Sequence, residues 1–396
     1  MESDLHRKIV LRQDVIIQDR EQQPTIQELC ENGQLVVLRT GSDLITITPI
    51  MREILEVART PHTPDELIQL VAQTWGCTYE SVYQPMFSFL KRMGRLGVLM
   101  YEEIRQNKSL SILEELDKTR RFGGYRLLKR LSKNHKVALY QCSLGESDSP
   151  LYALKVLLHK SPDENERRKF FKEYEILRVL PAHRNIRNCL HASVHDEIPY
   201  LLFEYIDGVS MSRKVDTISL ESKASIASQM INSIDHLHRH HILHGDIHAS
   251  NFLIDPENNL HLIDLGMAHG EHEDEMHHGG VPRYMPPERM PDHPFDFSNK
   301  KGDCQSEIFQ IGVCLYFLFS GQYPFRALLL KNLADSIKYK APPPLTKTPL
   351  GEKIPKLLTH VISKSMEKDP LNRYSCVADM MDAWRQAIHH YESIFM

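Results

Sequence analysis

Four residues able to share one piece of chemistry fall in two short segments of this 396-residue chain. His244, Asp246 and Asn251 lie within HGDIHASNFLID (244–255), and Asp264 lies within HLIDLGMAH (261–269). Asp246 precedes Asn251 by five residues, and Asn251 precedes Asp264 by thirteen. A carboxylate, an amide and a second carboxylate in this order suit phosphoryl transfer. One carboxylate can orient an acceptor hydroxyl. The amide and the other carboxylate offer Mg²⁺ the oxygen donors it prefers while it holds nucleotide phosphates. A lone Asp-x-x-x-x-Asn is common, so the specificity of the pattern rests on the segments around it.

Those segments supply the elements that must position the four residues. YALKVL (152–157) reads as a short apolar strand with Lys155 pointing out of it. In FFKEYEILRVL (170–180), Phe170, Tyr174, Leu177 and Leu180 recur at helical spacing, with Glu173 beside that stripe. Downstream follow RYMPPER (283–289), SEIFQIGVCLYFLFSGQYPF (306–325) and KDPLNRY (368–374). With these in order, residues from about 120 to 390 resemble a eukaryotic-type protein kinase domain over roughly two-thirds of the chain.

The resemblance implies an α+β, bilobal protein-kinase fold, with a small lobe over 121–206, a large lobe over 207–396, and ATP and Mg²⁺ as cofactors. It implies Asp246 as catalytic base, Asn251 and Asp264 as metal ligands, and Lys155 on the phosphates, paired to Glu173. Ala153 and Leu253 match the roof and floor of the adenine site, and Leu131 and Leu139 also match nucleotide-contacting positions. Phe203, Glu204 and Ile206 match the gatekeeper and hinge. His244, Leu265 and Leu177 match positions that tie the lobes together, and Glu288 and Arg373 match a buried ion pair.

Departures from the family pattern sharpen the reading. The three glycine positions of the phosphate-binding lid hold Ser132, Asn134 and Val137. Glycine lets backbone amides approach phosphate oxygens closely, so a lid without it should cradle phosphates weakly. Gly245 stands where an Arg usually reads an activation-loop phosphate, and residues 267–281 contain no Ser, Thr or Tyr. The two changes fit each other and predict no switch by phosphorylation there. His248 replaces the Lys that steadies the transferred phosphate, Val281 replaces a Thr that bonds the catalytic loop, and Glu307 replaces the Asp that anchors it. HGDIH is similar to the catalytic loops of aminoglycoside-type phosphotransferases and of lanthipeptide synthetase kinase domains. The activation-segment run His269, Glu271, His272, Glu273, Asp274, His277 and His278 carries metal-binding residue types, but a solvated loop is the simpler expectation.

Residues 1–103 read differently. DVIIQ (14–18), QLVVLRT (34–40) and DLITITP (43–49) have strand character, with Gly41-Ser42 as a hairpin turn. Helices are expected over 47–58, 63–75 and 79–99, the second opening on a Thr63/Glu66 capping box, followed by a strand at Val98–Tyr101. Residues 104–120 read as a linker or connecting helix. The order of elements resembles the PqqD-like winged-helix fold, the leader-recognition module of enzymes that modify ribosomal peptides. That implies a peptide or protein substrate, its leader adding a strand near 34–40 and packing on the helix at 79–93.

Composition bounds the alternatives. A net charge of −4 supplies no basic field for nucleic acid. Seven scattered cysteines without a Cys-x-x-Cys pair point to reduced thiols. IGVCLYFLF (311–319) is too short to span a bilayer and reads as a buried helix, and the opening MESDLHRKIV lacks a signal-peptide apolar stretch. A cytoplasmic, ATP-dependent Ser/Thr kinase with a docking module is the leading expectation. A pseudokinase scaffold and a small-molecule phosphotransferase are the alternatives.

Overall fold

Two compact units divide the chain. One runs to Tyr140 and includes Val156–Ser161; the other holds Gln141–Lys155 and nearly all that follows Pro162. The computed structural model describes residues 9–11, 15–19, 36–40, 43–47, 54–75, 78–95, 99–101, 109–134, 136–145, 150–271, 281–290, 302–327 and 330–395.

The first unit begins with strands β1 (Ile9–Leu11), β2 (Val15–Asp19), β3 (Val36–Thr40) and β4 (Asp43–Ile47). β2, β3 and β4 are antiparallel neighbours in that order, and Thr40 pairs with Asp43; Gly41-Ser42, expected as a turn, lie outside the described residues. Helices α1 (Pro64–Trp75) and α2 (Tyr79–Arg95) follow, then β5 (Leu99–Tyr101), which pairs with β1. The capping box forms: Glu66 N donates to Thr63 Oγ1 at 3.2 Å, and Thr63 N donates to Glu66 Oε2 at 2.8 Å. Leu55, Leu67, Ile68, Met86, Phe89 and Met93 bury themselves in a core of their own. Of the helix expected at 47–58, residues 54–57 are helical, 47 ends β4, and 48–53 lie outside the described residues.

β3 is paired on both sides, so Val36–Thr40 offer no open edge for the strand addition expected near 34–40; residues 34 and 35 lie outside the described residues. Among the described strands, the outer members of that sheet are β2 and β4.

Residues 109–119 form helix α3 (Ser109–Thr119), followed by β6 (Arg121–Phe122) and β7 (Tyr125–Lys133). Asp117 of α3 accepts a hydrogen bond from the Tyr140 hydroxyl at 2.9 Å and pairs with Arg130. The connection is therefore a helix fixed to the strands that follow it. β8 (Val137–Leu144) begins in this unit and ends in the second. At the β7–β8 turn the Asn134 side-chain oxygen accepts from both Lys136 N and Val137 N, each at 2.8 Å. A hairpin forms without glycine because an Asn side chain closes its turn.

Strands β9 (Leu151–Leu157), β10 (Cys189–His195) and β11 (Ile198–Glu204) follow, in the order β10-β11-β9-β8; β9, like β8, crosses the division between the units. Helix α4 (Glu164–Val179) is N-capped by Asp163, which accepts from Glu166 N at 2.7 Å. Its inward positions are Phe170 and Glu173, three apart on one face.

The remainder is mainly helical around one large core. Its longer helices are α5 (Leu220–Arg239), α6 (Cys304–Ser320), α7 (Leu330–Tyr339), α8 (Lys356–Ser365) and α9 (Val377–Phe395). α6 is buried from Ser306 through Phe319, as its apolar sequence predicts. Asp303 caps its start, and Gly321, at φ +70°, ends it in the left-handed region that glycine favours. Two short ribbons sit beside these helices. β12 (Val209–Ser210) pairs with β14 (Phe252–Ile254), which pairs with β15 (Leu260–Leu262), and β13 (Ile242–Leu243) pairs with β16 (His269–Gly270). The fold is mixed α+β. Among the described residues no helix is long and apolar enough to cross a membrane, and none of the described cysteines is disulfide-bonded.

Candidate active site

The thirteen-residue spacing from Asn251 to Asp264 is a hairpin. Phe252 faces Leu262 across β14 and β15, so Asn251 and Asp264 leave the same end of the ribbon. Ile263 N donates to Asn251 O at 2.8 Å, extending the pairing by one step. Asn251 is buried, and its side-chain amide nitrogen donates to Asp246 O at 2.9 Å. The amide oxygen is left facing away from that bond. Asp264 sits at φ +66°, a left-handed conformation that costs a non-glycine residue about 1–3 kcal/mol and recurs at functional sites.

Lys155 reaches two carboxylates from strand β9. Its ammonium lies 2.6 Å from Glu173 Oε2 and 3.2 Å from Asp264 Oδ1. The other Glu173 oxygen accepts from Leu265 N at 3.2 Å, so α4 grips the segment that carries Asp264. Glu173 is 1% exposed. Burial works against the Lys155 charge, but Asp264 and Glu173 outweigh it and raise the pKa. The Lys155 ammonium in turn holds the Asp264 carboxyl well below the ordinary carboxylate range, against burial. Both groups are ionised at neutral pH.

Asp246 is only partly exposed and faces His248, whose Nε2 is 3.4 Å from Asp246 Oδ2. His248 Nδ1 accepts from Ser250 N at 3.2 Å. In the neutral ring this assigns the proton to Nε2, on the side of Asp246. His244 is fully buried, and its Nδ1 accepts from Asp246 N at 3.2 Å. Burial lowers its pKa, so the ring is a neutral brace for the loop.

The loop is anchored from α6. Glu307 Oε1 accepts from Gly245 N at 2.7 Å, and its other oxygen meets His238 Nε2 at 2.7 Å. The glutamate thus reaches the backbone that a shorter aspartate would have to meet, and it recruits a histidine from the last turn of α5. Gly245 has φ +78°, and a Cβ there would lie 2.5 Å from Met267 O. An Arg at this position would not fit the observed backbone. Tyr284 replaces the tie expected from a Thr at 281: its hydroxyl accepts from Ala249 N at 3.2 Å.

The remaining candidates are distributed as follows. Ala153 and Phe203 are buried, Leu253 and Ile206 are half-buried, and Glu204 is exposed and accepts from Asn188 Nδ2 at 3.1 Å. Leu131 and Leu139 stand on β7 and β8 in the first unit. Glu288 and Arg373 form a two-bond pair, with both nitrogen–oxygen distances 2.8 Å. Leu265 is buried in the large core, and Leu177 packs on it. His269 is buried on β16, and Glu271 pairs with His241 at 3.3 Å. The rest of the histidine-rich run lies outside the described residues. Among the described residues no three His, Cys, Asp or Glu side chains gather as a metal site.

The protein kinase domain model matches residues 137–390. The chain belongs to the protein kinase family. It is 28% identical over 283 residues to the serine/threonine-protein kinase Pkn1 of Myxococcus xanthus, covering 68% of this chain and 39% of the relative. It is 27% identical over 241 residues to the serine/threonine-protein kinase PrkC of Bacillus subtilis, covering 58% and 35%. Against the probable serine/threonine-protein kinase PknB of Lactococcus lactis it is 24% identical over 269 residues, covering 65% and 41%. The chain thus spans about two-fifths or less of the length of these curated relatives. Within the kinase domain, Arg187, His238 and Tyr284 are the residues that motif reading missed. Arg187 lies in the polar run HRNIRN (183–188) just before β10, and His238 is hidden in the histidine run 236–244.

Proposed function

We propose that this kinase transfers the γ-phosphoryl group of ATP to a Ser or Thr hydroxyl of a peptide or protein. The observation that carries the reading is the Lys155–Glu173–Leu265 linkage, an ammonium 2.6 Å from a carboxylate whose second oxygen holds the segment bearing Asp264. Charged groups assembled in this way suit nucleotide phosphates.

Asp246 is the acceptor-orienting carboxylate and takes the hydroxyl proton as the new O–P bond forms and the bond to the leaving ADP oxygen breaks. The His248 Nε2–H lies beside it, where Ser/Thr kinases usually place a Lys, and supplies a donor toward the transferred phosphate. Mg²⁺, when bound, would neutralise charge on the phosphates. The oxygen donors that fit it are the Asp264 carboxylate and the Asn251 amide oxygen, the amide nitrogen being engaged by Asp246 O. Lys155 holds phosphate oxygens, and Ala153, Phe203, Glu204, Ile206 and Leu253 contact the nucleotide base. The names of the curated relatives support Ser/Thr as the acceptor class.

The separately cored N-terminal region would dock the substrate, in the manner of a PqqD-like module, raising its local concentration toward millimolar. Action in the cytoplasm, away from membranes and nucleic acid, is part of the same reading.

A second reading, a pseudokinase scaffold, draws on Asn134. Its side chain already occupies two backbone amides of the β7–β8 turn. Intact-mass measurement of casein as generic acceptor with Mg·ATP separates the two. The active reading expects Asp246→Asn to lower transfer about 10²–10⁴-fold and Asp264→Ala to abolish it. Unchanged transfer in either variant sinks the corresponding role, and no transfer by the wild type favours the scaffold.

A further inference from the structure

Behind the Lys155–Glu173 pair sits a second cation. Arg187 is only 7% exposed, and its guanidinium carbon lies 4.0 Å from the centre of the Phe203 ring, a stacked cation–π contact. Its Nη2 is 3.9 Å from Glu173 Oε1, the same oxygen that accepts from Leu265 N. Arg187 is itself pinned to the strand leading into the site. Its N donates to Leu262 O at 3.0 Å, and Leu262 N donates to Asn185 O at 2.7 Å, so the pairing lies two residues before Asp264.

The charge count explains why a cation belongs there. Lys155 is shared between Glu173, which is buried, and Asp264, which is half-exposed, so Glu173 has only part of one cation's charge to balance it out of water. Arg187 makes the cluster two against two. A guanidinium keeps its proton even where burial lowers its pKa, as it does here. Filling space beside Phe203 needs no charge, since an apolar side chain would do so without desolvating an ion. Carrying a charge to Glu173 is what an apolar residue could not do.

We infer that Arg187 is a positioning residue for Glu173, holding the inward face of α4 when Lys155 turns to the nucleotide phosphates. Its kinetic part rests on the proposed kinase activity; its contact with Glu173 does not. Lys155 and Arg187 divide the labour by oxygen: Lys155 takes Oε2, and Arg187 stands behind Oε1. At 3.9 Å the attraction is electrostatic and not a formed hydrogen bond, so the charge matters more than the fork geometry.

Full-length Arg187→Met, Arg187→Lys, Glu173→Gln and the double variant combining Arg187→Met with Glu173→Gln test the inference. Thermal denaturation without nucleotide reads the contact alone. The temperature change caused by Arg187→Met should differ by several degrees between the wild-type background and the Glu173→Gln background. Casein phosphorylation reads the positioning. Arg187→Met should lower kcat about tenfold with KM for ATP within about twofold of wild type, and Arg187→Lys should recover most of the loss. Additive temperature changes overturn the inference. So does a non-additive cycle in which Arg187→Met keeps wild-type kcat, or one in which Arg187→Lys is no better than Arg187→Met. If Arg187→Met yields no folded protein, Arg187→Gln takes its place in the cycle. If the wild type itself transfers no phosphate, the kinase reading fails separately and the thermal cycle alone decides whether Arg187 holds Glu173.

Discussion

Asn134 closes the β7–β8 turn by accepting two backbone amides, Lys136 N and Val137 N. Those amides lie in the segment that matches the phosphate-binding lid. Asn134→Gly should free them, and one neutral hydrogen bond at a net of about 0.5–1.5 kcal/mol would lower KM for ATP roughly two- to tenfold. Steady-state kinetics checks this; an unchanged or higher KM would mean the lid amides do not meet phosphate. The same residue shows what the sequence could and could not disclose. The missing glycines are plain in it, but not that a side chain stands in for the lost turn geometry. Lys155, Glu173, Asp246, Asn251 and Asp264 could be singled out because each sits in a short segment whose neighbours identify it. Arg187 and Tyr284 could not. Their significance lies in partners 14 to 35 residues away, which no local pattern encodes.

At the scale of elements, the catalytic loop depends on the contact between the end of α5 and the start of α6. Burial opposes the His238 charge, but the neighbouring Cys304 thiol and Glu307 carboxylate carry its pKa up to about 10. Burial likewise opposes the Glu307 charge, yet His238 brings its pKa below the ordinary value. A histidine pKa raised on folding contributes stability that is complete below the unfolded value near 6.5 and is lost as pH rises through about 10. The depressed Glu307 contributes above its unfolded value and loses that contribution as pH falls through its folded one. Thermal melts should therefore decline from about pH 7 to about pH 10, and His238→Gln should flatten that slope while lowering stability near pH 6. A wild-type slope retained in His238→Gln would assign it to other groups. The Glu288–Arg373 pair links two further segments around α6. Glu288→Ala strands a buried guanidinium, a loss of about 3–5 kcal/mol, seen as a fall in melting temperature with little change in KM. The α6 helix itself was legible from its unbroken apolar run. Its role as anchor was not, because Glu307 had to be seen meeting Gly245 and His238 at once.

For the whole molecule, the question is where the kinase begins. The family match starts at residue 137, whereas contacts unite the chain up to Tyr140. The Tyr140 side chain is fully buried, and its hydroxyl donates to Asp117, which also pairs with Arg130. Helix α3 is thus fixed to β7 and β8, and a stretch with the composition of a linker contributes a half-buried hydrogen bond. The hydrophobic core of residues 54–99 shares no member with the large core of the second unit. These facts give different outcomes for two truncations. Removing residues 1–103 keeps Asp117, so melting of the remainder and transfer to casein should persist. Removing 1–120 leaves the Tyr140 hydroxyl buried without its acceptor, at about 1–3 kcal/mol, and should lower the melting temperature by several degrees. If the N-terminal region docks the substrate, the shorter truncation should also separate two activities. Transfer to casein would stay near wild type, while transfer to a docked peptide would fall by the factor that tethering supplies, about 10²–10⁴-fold at substrate concentrations below KM. Equal loss on both substrates would make the N-terminal region a stabilising part of the kinase and remove the case for docking.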